Sequence, residues 1–244
     1  MLKKITLSLI IAAFTISANA QNWWGSSKKI KGNGNVVTVD RTTSDYEGIA
    51  IGGSFDVVLV KGKEGNISIE GEENLIPYIQ TEVKRGTLQI KFEKSINVRT
   101  TRRLTVTVTY DDIDMISLGG SGNIKSKGTI KANKFKVSIG GSGNITLDVE
   151  ADDISANIGG SGNIKLSGYA NELNCSIAGS GSIKAYELKV DVLNASIAGS
   201  GSITTTVANK IKANVVGSGS IYYKGNPSDI SKKSVGSGSV INRN

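Results

Sequence analysis

The 244-residue chain has no histidine, one cysteine and two prolines, and its aromatic residues are two tryptophans, four phenylalanines and seven tyrosines. Without histidine, no Ser-His-Asp or Cys-His nucleophile and no His-ligated metal site can be assembled. A single cysteine excludes an intrachain disulfide. So few aromatic side chains leave little volume for a thick core. Apolar residues still make up 38% of the chain and charged residues 20%, a balance too apolar and too weakly charged for disorder. Beyond the first twenty residues no segment approaches the length of a membrane span.

Those first residues have a different character. Lys3 and Lys4 precede an apolar run from Ile5 to Ile16, and Ala18-Asn19-Ala20 supplies the small-x-small pattern that signal peptidase accepts. Residues 1–20 are therefore expected to be a secretory signal cleaved between Ala20 and Gln21. No cysteine stands at the junction, so lipoprotein processing is not expected. The predicted destination is across the inner membrane, in the periplasm or at the cell surface. Cleavage removes two lysines and lowers the formal charge from +8 to +6, shared as +3 by residues 21–110 and +3 by residues 111–244. An excess spread in this way suits weak attraction to anionic glycans or lipopolysaccharide. Nucleic acid, which calls for a basic stripe with interleaved aromatics, is not an expected partner.

The dominant signal is internal repetition. Gly-Ser-Gly-Asn-Ile begins at Gly120, Gly141 and Gly160, and Gly-Ser-Gly-Ser followed by Ile or Val begins at Gly179, Gly199, Gly217 and Gly236, at intervals of 21, 19, 19, 20, 18 and 19 residues. Six, four and two residues before the first glycine stand Phe135, Val137 and Ile139 in one copy and Leu173, Cys175 and Ile177 in another. That is the period-two alternation of a strand. Four residues after it, Ile124, Ile145, Ile164, Ile183, Ile203, Ile221 and Val240 open a second strand. Eight residues before it, Asp112, Asn133, Asp152, Asn171, Asp191 and Asn209 fit a turn, where Asn and Asp bond their own backbone and tolerate left-handed geometry. A unit with one apolar edge cannot bury it alone, so successive units stack with like strands parallel. The predicted fold is all-β: a single-chain, right-handed parallel β-helix, or β-solenoid, with about 19 residues per coil. Cys175 fills a slot taken elsewhere by Val or Ala and reads as packing. The last copy carries Lys232 and Ser234 where the others are apolar, which reads as a cap against end-to-end stacking.

The expected organisation is a flexible leader at 21–45 containing Trp23-Trp24, irregular coils at 46–110, regular Gly-Ser-Gly coils at 111–227 and a capping repeat at 228–244. A separate small β-domain is the alternative for the irregular stretch. The repeats, together with Glu73-Asn74-Leu75-Ile76-Pro77 and Gly86-Thr87-Leu88, resemble the head GIN domain family of autotransporter-adhesin-like exported proteins of Bacteroidetes-type bacteria, over roughly residues 46–227. The resemblance implies a right-handed β-helix and an adhesive role. The sequence departs from the family pattern at Ser182, Ser202, Ser220 and Ser239, where Asn or Asp is usual, and no translocator barrel is expected after Asn244.

The glycine corners lack the Lys-Ser/Thr of a phosphate loop, and the Asp of the calcium-binding nonapeptide roll is missing. No cofactor, structural metal or catalytic residue is therefore expected. Asp111, Asp112, Asp114, Asp152 and Asp153 read as turn chemistry, because coils of so constant a length leave no inserted loops to wall a cleft. What remains is a repetitive surface: a hydroxyl row of Ser121, Ser142, Ser161, Ser180, Ser200 and Ser218 beside Asn123, Asn144 and Asn163. The expected role is non-enzymatic adhesion or envelope interaction, with a polysaccharide or a cell-surface protein as partner and the chain a monomer or weak oligomer. The alternatives are a polysaccharide-active enzyme, for which Lys84, Arg85, Glu93, Arg102 and Arg103 offer side chains, and a self-assembling fibre or envelope scaffold.

Overall fold

A computed structural model describes residues 28–244; the expected signal, the Ala20–Gln21 junction and Trp23-Trp24 lie outside the described residues. The first part contains β1 (Lys28–Lys31), β2 (Val36–Thr42), β3 (Gly48–Gly52), β4 (Asp56–Lys61), β5 (Asn66–Glu72), β6 (Ile79–Lys84), β7 (Thr87–Phe92), β8 (Ile96–Arg99) and β9 (Thr105–Tyr110). The second contains β10 (Met115–Gly120), β11 (Asn123–Gly141), β12 (Asn144–Gly160), β13 (Asn163–Gly179), β14 (Ser182–Gly199), β15 (Ser202–Gly217), β16 (Ser220–Lys224), β17 (Asp229–Val235) and β18 (Ser239–Asn242).

Strands β10 to β18 form the predicted solenoid, each pairing in parallel with the equivalent residues of the next coil. Three breaks divide a coil into short sides: the glycine corner, the register shifts near Lys125, Lys165 and Ala185, and the Asx position. The corner is close-packed on the one below. Gly160 has φ of 139°, and a Cβ built on it would lie 2.4 Å from the carbonyl oxygen of Gly141. Gly162 has the same difficulty, with 2.6 Å to the Gly143 oxygen and 2.8 Å to an Ile139 methyl carbon. Only glycine allows backbone to stack on backbone at this distance. Inside, Phe135, Ile154, Leu173, Leu193 and Ile211 stack as one column, and Val137, Ala156, Cys175, Ala195 and Ala213 as another, all buried. Burial pushes the Cys175 thiol up to about 12, which leaves it protonated and unreactive.

The Asx positions differ from the left-handed turn expected of them. Asn133, Asp152 and Asn171 lie within continuous strands, and among the described residues Arg85 is the one non-glycine with positive φ. Their side chains bond along the row instead, Asn171 Nδ2 donating to Asp152 Oδ1 at 2.9 Å. A bend in an extended chain is gentle enough to need no left-handed residue.

The first part continues the same stack in a different chain order. The β3–β4 coil, with its own corner at Gly53, lies directly beneath β10 and β11. Beneath it lie β7 and β9, which come later in the chain. Antiparallel strands then close this end, β6 on β7, β5 on β9 and β2 on β5. One continuous buried cluster runs from Tyr46 to Tyr223. The described portion of the expected flexible leader is thus a correction: residues 28–31 pair with β8, and residues 36–42 form an edge strand on β5. Val37 packs on the core while Val36 and Val39 stay exposed, and the strand covers the otherwise open side of β5.

A buried carboxylate fastens this base. Glu72, 2% exposed, accepts hydrogen bonds from the backbone N–H of Gly34 (2.8 Å), Thr101 (2.8 Å) and Arg102 (3.2 Å) and from the Thr101 hydroxyl (2.5 Å). Burial alone would raise its pKa; the Thr101 hydroxyl and the backbone donors outweigh burial and lower it from 4.5 to about 2. A depressed folded pKa stabilises above the unfolded value and loses that contribution as pH falls. Glu72→Gln is expected to cost about 1–3 kcal/mol at pH 6 in urea unfolding. The gap from wild type should narrow between pH 4.5 and 2; a gap independent of pH would refute the role.

Candidate functional site

The glycine corner places the candidate serines by construction. Its two glycines lie against the coil beneath, so the residue between them has only outward space. Ser121, Ser142, Ser161, Ser180, Ser200 and Ser218 are all exposed. Their backbone N–H groups are used, Ser142 donating to Gly120 and Ser161 to Gly141, each at 3.0 Å. Their hydroxyls bond no protein group among the described residues. Five steps of about 4.8 Å make the row about 24 Å long.

The neighbouring asparagines behave differently. Asn163 Nδ2 donates to Asn144 Oδ1 and Asn144 Nδ2 to Asn123 Oδ1, both at 2.9 Å, and Asn123 Nδ2 reaches Asp56 at 2.7 Å. Asp56 also meets Arg103 Nε at 3.2 Å. In the later coils the hydroxyls of Ser182 and Ser202 lie 3.0 Å apart. This row is a ladder that satisfies itself. Its amides hold coils in register, which accounts for the polar residues there without a ligand.

On the side of the coil before the corner, the outward residues form two further polar rows that the sequence reading passed over. One is Ser138, Asn157, Ser176, Ser196 and Asn214; the other is Lys136, Ser155, Asn174, Asn194 and Lys212. Across Ser155, Asn157, Asn174, Ser176, Asn194 and Ser196 the surface sinks into a shallow depression. Asn194 is engaged by Glu172 at 2.7 Å and Asn174 at 3.1 Å, whereas Asn157, Ser176 and Ser196 have no side-chain partner among the described residues. The signal was present, since the outward residues 155, 157, 174, 176, 194 and 196 are all serine or asparagine.

Of the carboxylates considered for catalysis, Asp111 and Asp112 line an open depression with Asp45, Glu47, Glu64 and Arg85, and Asp112 and Asp114 line a neighbouring one with Glu47, Lys131 and Lys134. Lys61 pairs with Asp111 at 3.1 Å and Asp112 at 3.3 Å, all well exposed. Asp152 belongs to the Asx row, and Asp114 and Asp153 border a shallow depression with Lys134 and Glu172. In the other candidate region, Lys84 and Arg85 lie at the tip of the β6–β7 hairpin and Glu93 at the opposite end of β7. Arg102 and Arg103 precede β9, so the fold does not bring the five together. Among the described residues no group of three or more His, Cys, Asp or Glu side chains is placed to hold a metal ion.

Residues 45–227 match the family described as "Putative auto-transporter adhesin, head GIN domain". The chain belongs to this family. Solved structures agree on the fold of this head GIN protein. A putative adhesin from Bacteroides fragilis is 28% identical, with TM-score 0.83 over 88% of this chain and 100% of that one. A putative lipid binding protein from Parabacteroides distasonis is 30% identical, with TM-score 0.76 over 89% and 100%. A putative adhesin from Parabacteroides merdae is 26% identical, with TM-score 0.71 over 89% and 100%. No curated protein matches the chain. The family and these structures are named for adhesion or binding, and none for a reaction.

Proposed function

We propose that this head GIN protein is exported, with its signal removed at Ala20–Gln21, and serves as a non-enzymatic adhesion module that binds polysaccharide along the corner serines and the adjoining Ser/Asn face. The observation that carries the reading is the contrast between two adjacent polar rows. The asparagine ladder consumes its own hydrogen-bonding capacity, whereas the hydroxyls of Ser121 to Ser218 are exposed and unused. A hydroxyl-bearing chain laid along the solenoid axis meets an equivalent donor and acceptor at every rung. The scaffold is rigid, so little ordering entropy is lost on contact. Each contact is weak, and affinity grows with the number of rungs engaged.

The test is a glycan array probed with wild type and with the double variant Ser161→Asp/Ser180→Asp. Two carboxylates at neighbouring rungs are expected to weaken binding at least tenfold by repelling and crowding the chain. Both sites are exposed, so the melting temperature should hold within about 2 °C. No binding to any neutral or acidic glycan, or equal binding by the double variant, would sink the proposal.

A further inference from the structure

Net charge is even between the two halves of the mature sequence and uneven along the stack. Residues 123–141 carry five lysines and no carboxylate, and residues 144–199 carry seven carboxylates against three lysines. Residues 205–244 carry five lysines and an arginine against Asp229 alone. This last basic band caps the C-terminal end of the described stack. There β17 pairs only with β15 and β18 only with β16, so each keeps an unpaired outer edge among the described residues.

Apolar side chains gather at the same end. Ile230 is 41% exposed, Val235 55%, and Val216, the register partner of Val235, 49%. Val216 and Val235 occupy the outward position that is Gly119, Gly140, Gly159, Ala178 and Ala198 in the earlier coils. This outward row carries side chains larger than a methyl group only here. Lys212, Lys232 and Lys233 make no ion pair among the described residues. Lys224 sits 5.0 Å from the Tyr186 ring centroid and Arg243 4.9 Å from that of Tyr222, contacts that hold both charges at the surface without neutralising them.

An open strand edge flanked by apolar residues invites a second copy. Antiparallel pairing of β17 with itself would bring Lys232 and Lys233 of one copy against those of the other, and that repulsion disfavours it. We infer that this end docks on an anionic lipid surface, with the solenoid standing end-on. The lysines and Arg243 meet lipid phosphates, and the edge N–H groups donate to headgroup oxygens. Ile230, Val216 and Val235 enter the interface to shallow depth. Unpaired backbone groups bar the edge from the hydrocarbon, so contact ends at the headgroup layer. The inference does not depend on the glycan reading, since the corner row and the Ser/Asn face would project away from the membrane with their surfaces free.

Co-sedimentation of the purified protein with phosphatidylcholine vesicles, with and without phosphatidylglycerol, tests it. Binding is expected to require phosphatidylglycerol and to weaken as salt rises. Lys232→Glu/Lys233→Glu should reduce it at least tenfold, and Val216→Ser/Val235→Ser by a smaller factor. Lys125→Glu/Lys127→Glu makes the same change of charge in the basic band of residues 123–141 and should leave most of the binding intact. Equal loss from that control would overturn a localised docking surface, as would no binding to anionic vesicles. Capture of an acidic protein without vesicle binding would also overturn it. Ser161→Asp/Ser180→Asp should retain vesicle binding whatever its effect on glycans, which separates the two readings.

Discussion

Gly160→Ala is expected to lower the melting temperature by about 10 °C or more, through a loss of about 3–5 kcal/mol. Two costs combine. A φ of 139° is hostile to any residue with a Cβ, worth about 1–3 kcal/mol of strain. The added carbon would also fall 2.4 Å from the Gly141 carbonyl oxygen. That oxygen belongs to a backbone already accepting from Ser161 and Gly162, so it cannot swing aside as a side chain would. Relief requires two coils to separate, and such overpacking typically adds about 1–3 kcal/mol. Ser161→Ala, one residue away, should change stability by less than about 0.5 kcal/mol. Differential scanning calorimetry on both variants decides the matter; equal melting temperatures would show that the corner is looser than its geometry implies.

Phe135→Ala is expected to cost about 3–5 kcal/mol, because removing a fully buried ring leaves a cavity that the neighbours fill only in part. Phe135 is 1% exposed and heads the column that continues with Ile154 and Leu173. The coils above and below are fixed by backbone ladders on every side, so collapse into the void is limited. Phe135→Leu should cost far less. In a solenoid each coil touches only its neighbours, so the damage should be local. Hydrogen exchange is expected to rise in β11 and β12 and to stay near wild type in β14 and β15. A loss below 1 kcal/mol by chemical denaturation, or exchange raised evenly along the chain, would contradict this account.

The regular coils were legible because each structural demand recurs. A corner that only glycine can form appears seven times, and the inward columns repeat six, four and two residues before it. The base was less legible, since stacking order is a non-local property. Nothing around Gly48 says that β3 lies between β7 and β10, two strands that follow it in the chain. The burial of Glu72 was hidden for a related reason, as its donors lie 29 to 38 residues away. For the candidate site, the serine row followed from the corner. The internal satisfaction of the asparagine ladder depends on side-chain geometry. The Ser/Asn face was written plainly in the outward half of the same alternation, where short polar residues look like neutral filler until they are stacked.

The non-sequential base also sets a timetable for assembly. A chain emerging N-terminus first delivers β3 and β4 early, yet their lower neighbours β7 and β9 arrive only once residue 110 is out. Until then this rung has nothing beneath it, and only after it is seated does the first Gly-Ser-Gly coil find a template above. From that point each further coil needs only the one just laid down. Growth therefore has a slow start and a fast, directional finish.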